Sequence, residues 1–310
     1  MLLNKFKKST VPTIKKRPHF IIHAKSHKLH LGERTLLMGI LNLTPDSFSH
    51  DGRIAKTSED IEAIVKQAEA MVSDGADILD IGGESSRPGS IQISDAEEMD
   101  RIIPVIKHLT KRISIPISVD TYKPTVAKEA LAAGAAIINT IKGIELDPLL
   151  LALVKENNAA LVLMHMKGLP ETMQNSIEYK KNLIEEIKSL LQKSIEKCMD
   201  FGINSDKIMI DPGIGFGKTT EHNLTIINHL DEFQSLPYPL LIGPSRKSFI
   251  GNIINRDVTQ RLFGTIASIS ACVLRGAHII RAHDIKAVKD ALLTVDAIIN
   301  EKINNNILNT

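Results

Sequence analysis

Eight short apolar runs, spaced through almost the whole chain, constrain its fold more than any other feature. They occupy residues 36–41, 78–81, 115–119, 137–141, 161–166, 208–210, 240–242 and 277–280. Each has the length and aliphatic content of a strand buried on both faces. Helical patterns lie between most of them. Ile61, Ile64, Val65, Ala68, Met71 and Val72 repeat with a period of roughly 3.6, opened by Thr57 and Asp60 and stopped by Gly75. Pro124 opens a helix that Gly134 closes, and Asp147-Pro148 opens the next. An apolar stripe over residues 184–199 ends at Gly202, and further helices fit 221–233, 260–275 and 284–300. Strands that alternate with helices pair in parallel, and eight of them close into a barrel. The repeat averages about 34 residues, which suits the ~250-residue barrel norm. An open doubly wound sheet is the rival, but no G-x-G-x-x-G follows the first strand. The expectation is an α/β chain with a single (β/α)8 TIM barrel over residues 21–310, preceded by a basic tail over residues 1–20.

Composition excludes several classes. A net charge of +2 gives no field strong enough to argue for nucleic acid. Neither is there an apolar run approaching the ~20 residues of a membrane helix. Cys198 and Cys272 both sit in apolar helical patterns and read as buried free thiols. With no signal sequence evident, they point to a reducing cytoplasm. Lys5, Lys7, Lys8, Lys15, Lys16 and Arg17 all precede the first acidic residue, Glu33, and read as a solvated tail. His23, His27 and His30 then fit the polar face of a hairpin that closes the barrel bottom.

Barrel sites lie at the C-terminal ends of the strands, so the residues leaving each apolar run carry the chemistry. They are Asn42, the stretch 83–87, Asp120, Asn139, His165, Asp211, the stretch 245–248, and Arg281 with His283. Residues 207–219, KIMIDPGIGFGKT, are the most informative. Asp211 ends a strand that Pro212 cannot continue, and Gly213, Gly215 and Gly217 let backbone approach a ligand. The same segment is not a phosphate-binding P-loop, because three residues separate Gly213 from Gly217 where that motif needs four.

The local sequences MGILNLTPDSFS, DIGGESSRPGS, SVDT, LMHMKG, DPGIGFGKT, GPSRKSFIG and RAHD, in that order, resemble the dihydropteroate synthase family. The resemblance implies a (β/α)8 barrel that joins a dihydropterin methyl diphosphate to p-aminobenzoate and releases diphosphate. It implies Mg2+, a homodimer, and only small-molecule substrates. Asp120, Asn139, Asp211 and Lys247 are then the pterin pocket, with Met164 and Phe216 as its apolar wall. Their donors and acceptors suit the 2-amino-4-oxo edge of such a ring. By the same resemblance Arg87, Arg281 and His283 hold the diphosphate, and Asn42 holds both it and the metal. Arg87, Lys247, Arg281 and His283 form the catalytic set, and Ser86, Pro88 and Ser248 meet p-aminobenzoate. The loops 44–53 and 85–90 are expected to be mobile until diphosphate and Mg2+ bind, and then to build the p-aminobenzoate pocket. Three positions depart from the family pattern: Thr140 for Asp, Ser86 for Thr, and His50 in the first loop. The rival readings are a corrinoid-linked methyltetrahydrofolate methyltransferase and a non-catalytic pterin-binding paralogue. The stretches GESSRPG and SRKS favour the synthase over the first.

Overall fold

Ahead of the first barrel repeat, β1 (Phe20–Ala24) and β2 (His27–Leu31) alternate exposed and buried residues and pair antiparallel. This computed structural model describes residues 17–44, 57–85, 89–143, 145–168, 173, 177–179 and 182–302. Eight parallel strands follow the hairpin: β3 (Leu36–Asn42), β4 (Ile78–Gly82), β5 (Ile117–Asp120), β6 (Ile137–Thr140), β7 (Ala160–Met164), β8 (Ile208–Asp211), β9 (Leu241–Ile242) and β10 (Ile279–Ala282). Their order is β8-β7-β6-β5-β4-β3-β10-β9, and a parallel bridge between Ile210 and Leu240 joins β8 to the β9 segment and closes the ring. All eight expected strands are present. The one expected from residue 115 starts at Ile117, because Pro116 has no N–H to give to a ladder.

Nine helices pack outside: α1 (Ser58–Ser73), α2 (Asp95–Leu109), α3 (Pro124–Ala133), α4 (Pro148–Glu156), α5 (Leu183–Asp200), α6 (Thr220–Asn228), α7 (Ser248–Ile254), α8 (Leu262–Leu274) and α9 (Ile285–Asn300), the count being of the described residues. Thr57 and Asp60 form a reciprocal capping box on α1, and Gly134 closes α3 in the left-handed conformation. Ser94 caps α2, its side chain accepting from Glu97 N–H ahead of an acidic first turn, and Pro104 stands inside the helix. The pattern over 221–233 is not one helix; α6 stops at Asn228 and a 3-10 segment (Leu230–Ser235) follows. Among the described residues no helix is long and apolar enough to cross a membrane. Cys198 and Cys272 are free and buried, and burial pushes both thiols up to about 12.

Alternation along the strands makes two cores. Leu37, Leu79, Val119 and Ile210 face the helices, whereas Met38, Ile78, Ile137, Val162, Met209 and Ile279 face the barrel axis. The inner set merges with Ile22, Ala24, Leu29 and Leu31 of the hairpin, which therefore plugs the N-terminal end of the barrel. Lys25 N–H donates to the Asn158 carbonyl (2.9 Å) and Lys207 Nζ to the His23 carbonyl (2.9 Å), fixing the plug. His23 and His30 line its outer, wetter side, as expected of a polar face, whereas His27 pairs with Ala24 and shares the inner face of Leu29 and Leu31.

Arg17 corrects the expected tail boundary. Its side chain is buried, donating through Nη1 to the Ala277 carbonyl (2.9 Å) and through Nη2 to Asp296 (2.6 Å). Asp296 also accepts from Thr35 N–H (2.6 Å), so one carboxylate ties the entry segment, the start of β3 and α9 together. Arg17 is thus anchored to the barrel rather than solvated. Arg17→Ala leaves Asp296 as a buried charge with half its partners, and should cost about 3 kcal/mol of unfolding free energy. Urea titration checks this; a midpoint equal to that of the parent would show the pair to be of no consequence.

Candidate active site

Because side chains alternate, the residues two positions beyond the apolar bottom layer also face the axis. The polar ones are Asp80 on β4, Asn139 on β6, Asp211 on β8 and Arg281 on β10, joined by Ser118, level with Asp80 on β5, a largely polar layer laid directly on an apolar one. Arg281 Nε donates to Asp80 (2.6 Å) and Nη2 to Asp120 (3.0 Å), and Asn139 Nδ2 donates to Asp80 (3.1 Å). Burial pushes the Asp120 carboxyl up from the usual range, the Arg281 guanidinium pulls it back, and Asp80 pushes it up again. Above this layer opens a cavity of about 360 Å3, lined among others by Asn42, Glu84, Asp120, Phe216, Ser245, Lys247, Ser248, Arg281 and His283. Met164 and Phe216 pack with Ile141 and Met173 in a small apolar cluster separate from both cores. Asn139, Met164 and Asp211 do not line the open space themselves; they are buried beside it.

Residues 211–219 fold back over the strand end. Gly213 and Gly215 have φ of +72° and +82°, and a Cβ at Gly213 would meet the His165 carbonyl oxygen at 1.9 Å. The turn lets Gly213 N–H donate to Asp211 Oδ1 (2.7 Å). Burial raises Asp211 to about 6, against the opposing pull of that N–H and of Lys247, Lys218 and Arg281. Lys247 Nζ lies 3.8 Å from the Phe216 ring centroid, a close cation–π contact at the cavity edge.

His165 behaves differently from the expectation that it faces a ligand. Its side chain is fully buried, and Nδ1 meets Lys218 Nζ at 3.0 Å, with Nε2 lacking a partner among the described residues. Lys218 also donates to the Phe216 carbonyl (3.0 Å), so the pair fastens the loop to β7 from behind. Burial lowers both groups, Lys218 to about 7 and His165 well below its usual value. This is the role of the lysine that imitates a P-loop.

The sequence profile of the family described as "Pterin binding enzyme" matches residues 38–283. The chain belongs to the pterin-binding enzymes. The dihydropteroate synthase of Bacillus subtilis is 42% identical over 281 residues, covering 91% of this chain and 94% of that one. A dihydropteroate synthase structure from Yersinia pestis, with a sulfonamide drug, superposes with a TM-score of 0.84 at 39% identity, covering 90% and 99% of the two chains. One from Xanthomonas albilineans in complex with 7,8-dihydropteroate gives 0.78 at 35% identity, covering 90% and 98%.

The remaining rim of this pterin-binding enzyme is held by ion pairs that its sequence did not announce. Glu84 accepts from Lys123 Nζ (2.6 Å), the Tyr122 hydroxyl (3.0 Å) and Ile93 N–H (3.1 Å), bracing the stretch that leaves β4. Arg246, at φ +57°, is paired with Asp284. His283 Nδ1 lies 3.0 Å from the Ser245 hydroxyl. Thr140, where Asp is usual, is fully buried, and its hydroxyl accepts from Lys142 N–H (3.3 Å) in a local turn. Ser86, Arg87, Pro88, His50 and most of the first loop lie outside the described residues. Asp80, Lys123 and Lys218 were missed as site residues. Asp80 and Lys123 stand within or beside quoted motifs, but nothing in spacing alone says which neighbour they will meet.

Proposed function

We propose that the chain condenses a (7,8-dihydropterin-6-yl)methyl diphosphate with p-aminobenzoate to give 7,8-dihydropteroate and diphosphate. The observation that carries this is the convergence of Asp120, Asn139, Asp211 and Lys247 from separate strand ends beside one cavity, in a chain of the pterin-binding family. Asp211 offers acceptors to the N–H groups of the ring, and Lys247 offers donors to its oxo edge. Met164 and Phe216 bound its faces. In the reaction the methylene C–O bond breaks, diphosphate takes the electron pair, and the arylamine nitrogen forms the new C–N bond and sheds a proton. An arylamine is neutral at pH 7, so the burden falls on the leaving group rather than on a strong base. Arg281 and Arg87 are the cations assigned to it, with His283 as a further hydrogen-bonding group, and Ser86, Pro88 and Ser248 take the p-aminobenzoate.

Mg2+ fits this scheme with modest demands on the protein. The described residues hold no cluster of three or more His, Cys, Asp or Glu side chains. Mg2+ at a diphosphate needs few protein ligands, since phosphate oxygens and water supply most of its shell. Asn42, at the end of β3 on the cavity wall, offers one amide oxygen. When bound, the ion neutralises charge on the departing diphosphate. A homodimer is supported by Phe263 on α8, 84% exposed, and by Ile253 and Ile254 on the adjoining α7. Light scattering should return twice the chain mass; a monomer would remove that assignment. A cytoplasmic location is consistent with the two free thiols.

The raised Asp211 gives a pH signature. Binding to ring N–H donors requires the carboxylate, and the empty protein holds this group at about 6. Affinity for a diphosphate-free pterin should therefore weaken about tenfold per pH unit below 6 and level off above 7. Isothermal titration from pH 5 to 8 checks this, using a pterin that does not itself titrate in that range. A flat profile would mean that Asp211 does not contact the ring. Methyl transfer from methyltetrahydrofolate to a corrinoid, in place of turnover with p-aminobenzoate, would select the rival reading.

A further inference from the structure

Resting on the pterin-binding reading above, we infer that Asp80 is a positioning residue that decides which end of the Asn139 amide faces the ligand. Asp80 lies in the middle of β4 with no solvent exposure. One of its oxygens, Oδ2, accepts from both Arg281 Nε (2.6 Å) and Asn139 Nδ2 (3.1 Å). A carboxylate paired with a guanidinium offers acceptors only. A carboxamide has two ends of nearly equal shape and opposite sense, and nothing in its outline chooses between them. The carboxylate does choose: Nδ2 turns toward Asp80, and Oδ1 is left as the end Asn139 can present to a ring. The pocket therefore asks for an N–H at that point of the ligand edge. It rejects an acceptor there, because two lone pairs would face each other in a buried site.

The same oxygen fixes Arg281. Nε is held by Asp80 and Nη2 by Asp120, so the plane of the guanidinium is set by two strands of the barrel rather than by the ligand. The other Asp80 oxygen has no partner among the described residues, nor does the hydroxyl of Ser118, which is its register partner on β5. The carboxylate thus spends its bonds on two residues of the site and on nothing that merely holds the barrel together.

The test is a double-variant cycle. Asp80→Ala frees the Asn139 amide to turn either end toward the ligand, and Asn139→Leu removes the amide altogether. Each should weaken binding of 6-hydroxymethylpterin by at least about tenfold. In the Asn139→Leu background there is no amide left to orient, so adding Asp80→Ala should cost at least about fivefold less than it does in the parent. A purely structural role for Asp80 predicts the same loss in both backgrounds. Titration calorimetry on all four proteins, with circular dichroism and thermal melting to establish that each folds, decides between them. Equal losses in the two backgrounds, or an Asp80→Ala protein that binds like the parent, would overturn the inference. So would an Asp80→Ala protein that does not fold, since the inference gives Asp80 to the site rather than to the barrel. A parent protein that does not bind the pterin at all would instead refute the pterin reading, and this inference with it.

Discussion

Asp211→Asn should weaken binding of a diphosphate-free pterin by at least 100-fold, roughly 3 kcal/mol, without unfolding the barrel. The carboxylate ends β8, is buried, and already accepts the Gly213 N–H through one oxygen. Two charge-assisted bonds to ring N–H groups are worth roughly 1.5–3 kcal/mol each. An amide keeps one acceptor but turns a donor toward a donor, so the loss exceeds that of a single bond. The effect on stability runs the other way. Burial raises Asp211 to about 6, so in the empty protein its ionised form is disfavoured, and the stability it contributes is lost as pH rises through that value. The neutral amide escapes this. At pH 8 the variant should melt no lower than the parent while its affinity collapses, and its binding should lose the pH dependence near 6. A large fall in melting temperature, with affinity retained, would show Asp211 to be a structural cap.

Arg281→Ala should lower turnover by at least a thousandfold, about 4 kcal/mol of transition-state stabilisation, and should also destabilise the fold. The guanidinium stands between Asp80 and Asp120 at 2.6 and 3.0 Å. Its removal leaves two carboxylates close together and uncompensated, the kind of change that costs about 3–5 kcal/mol. Without Arg281 the pull that lowers Asp120 is gone, and burial and Asp80 hold it further above its unfolded value. A group raised in this way gives stability below its unfolded pKa and loses it as pH rises through the folded one. The deficit of the variant should therefore be largest near pH 8 and shrink toward pH 5. Arg281 is also tied into the pterin layer, so binding of a diphosphate-free pterin should weaken as well. A variant with normal turnover, or with a pH-independent deficit, would contradict this placement.

The features that repeat were readable from the chain. Strand-length runs, the Thr57–Asp60 box, Gly134 and Asp147-Pro148 each act through local backbone chemistry, and each leaves its mark within a few residues. The rim residues at strand ends were readable for the same reason, since the barrel brings every C-terminal end to one face. Long-range pairings were not. Arg17 meets Asp296 across 279 residues, and Arg281 meets Asp80 across 201. In both cases a charged residue sits where local sequence looks like a tail or a strand, and only the closure of the barrel supplies its partner. His165 was misjudged because a polar strand-end residue can face the loop behind it as well as the ligand in front. The lysine of GIGFGKT shows the same limit. Its partner is a strand end 53 residues earlier.

The most direct test of the account is product analysis of the purified protein incubated with (7,8-dihydropterin-6-yl)methyl diphosphate, p-aminobenzoate and Mg2+. Mass spectrometry should show 7,8-dihydropteroate and diphosphate formed one for one, with nothing coupled when p-aminobenzoate is omitted. A pterin that binds but is returned unchanged, or loses its diphosphate without gaining a C–N bond, would contradict it.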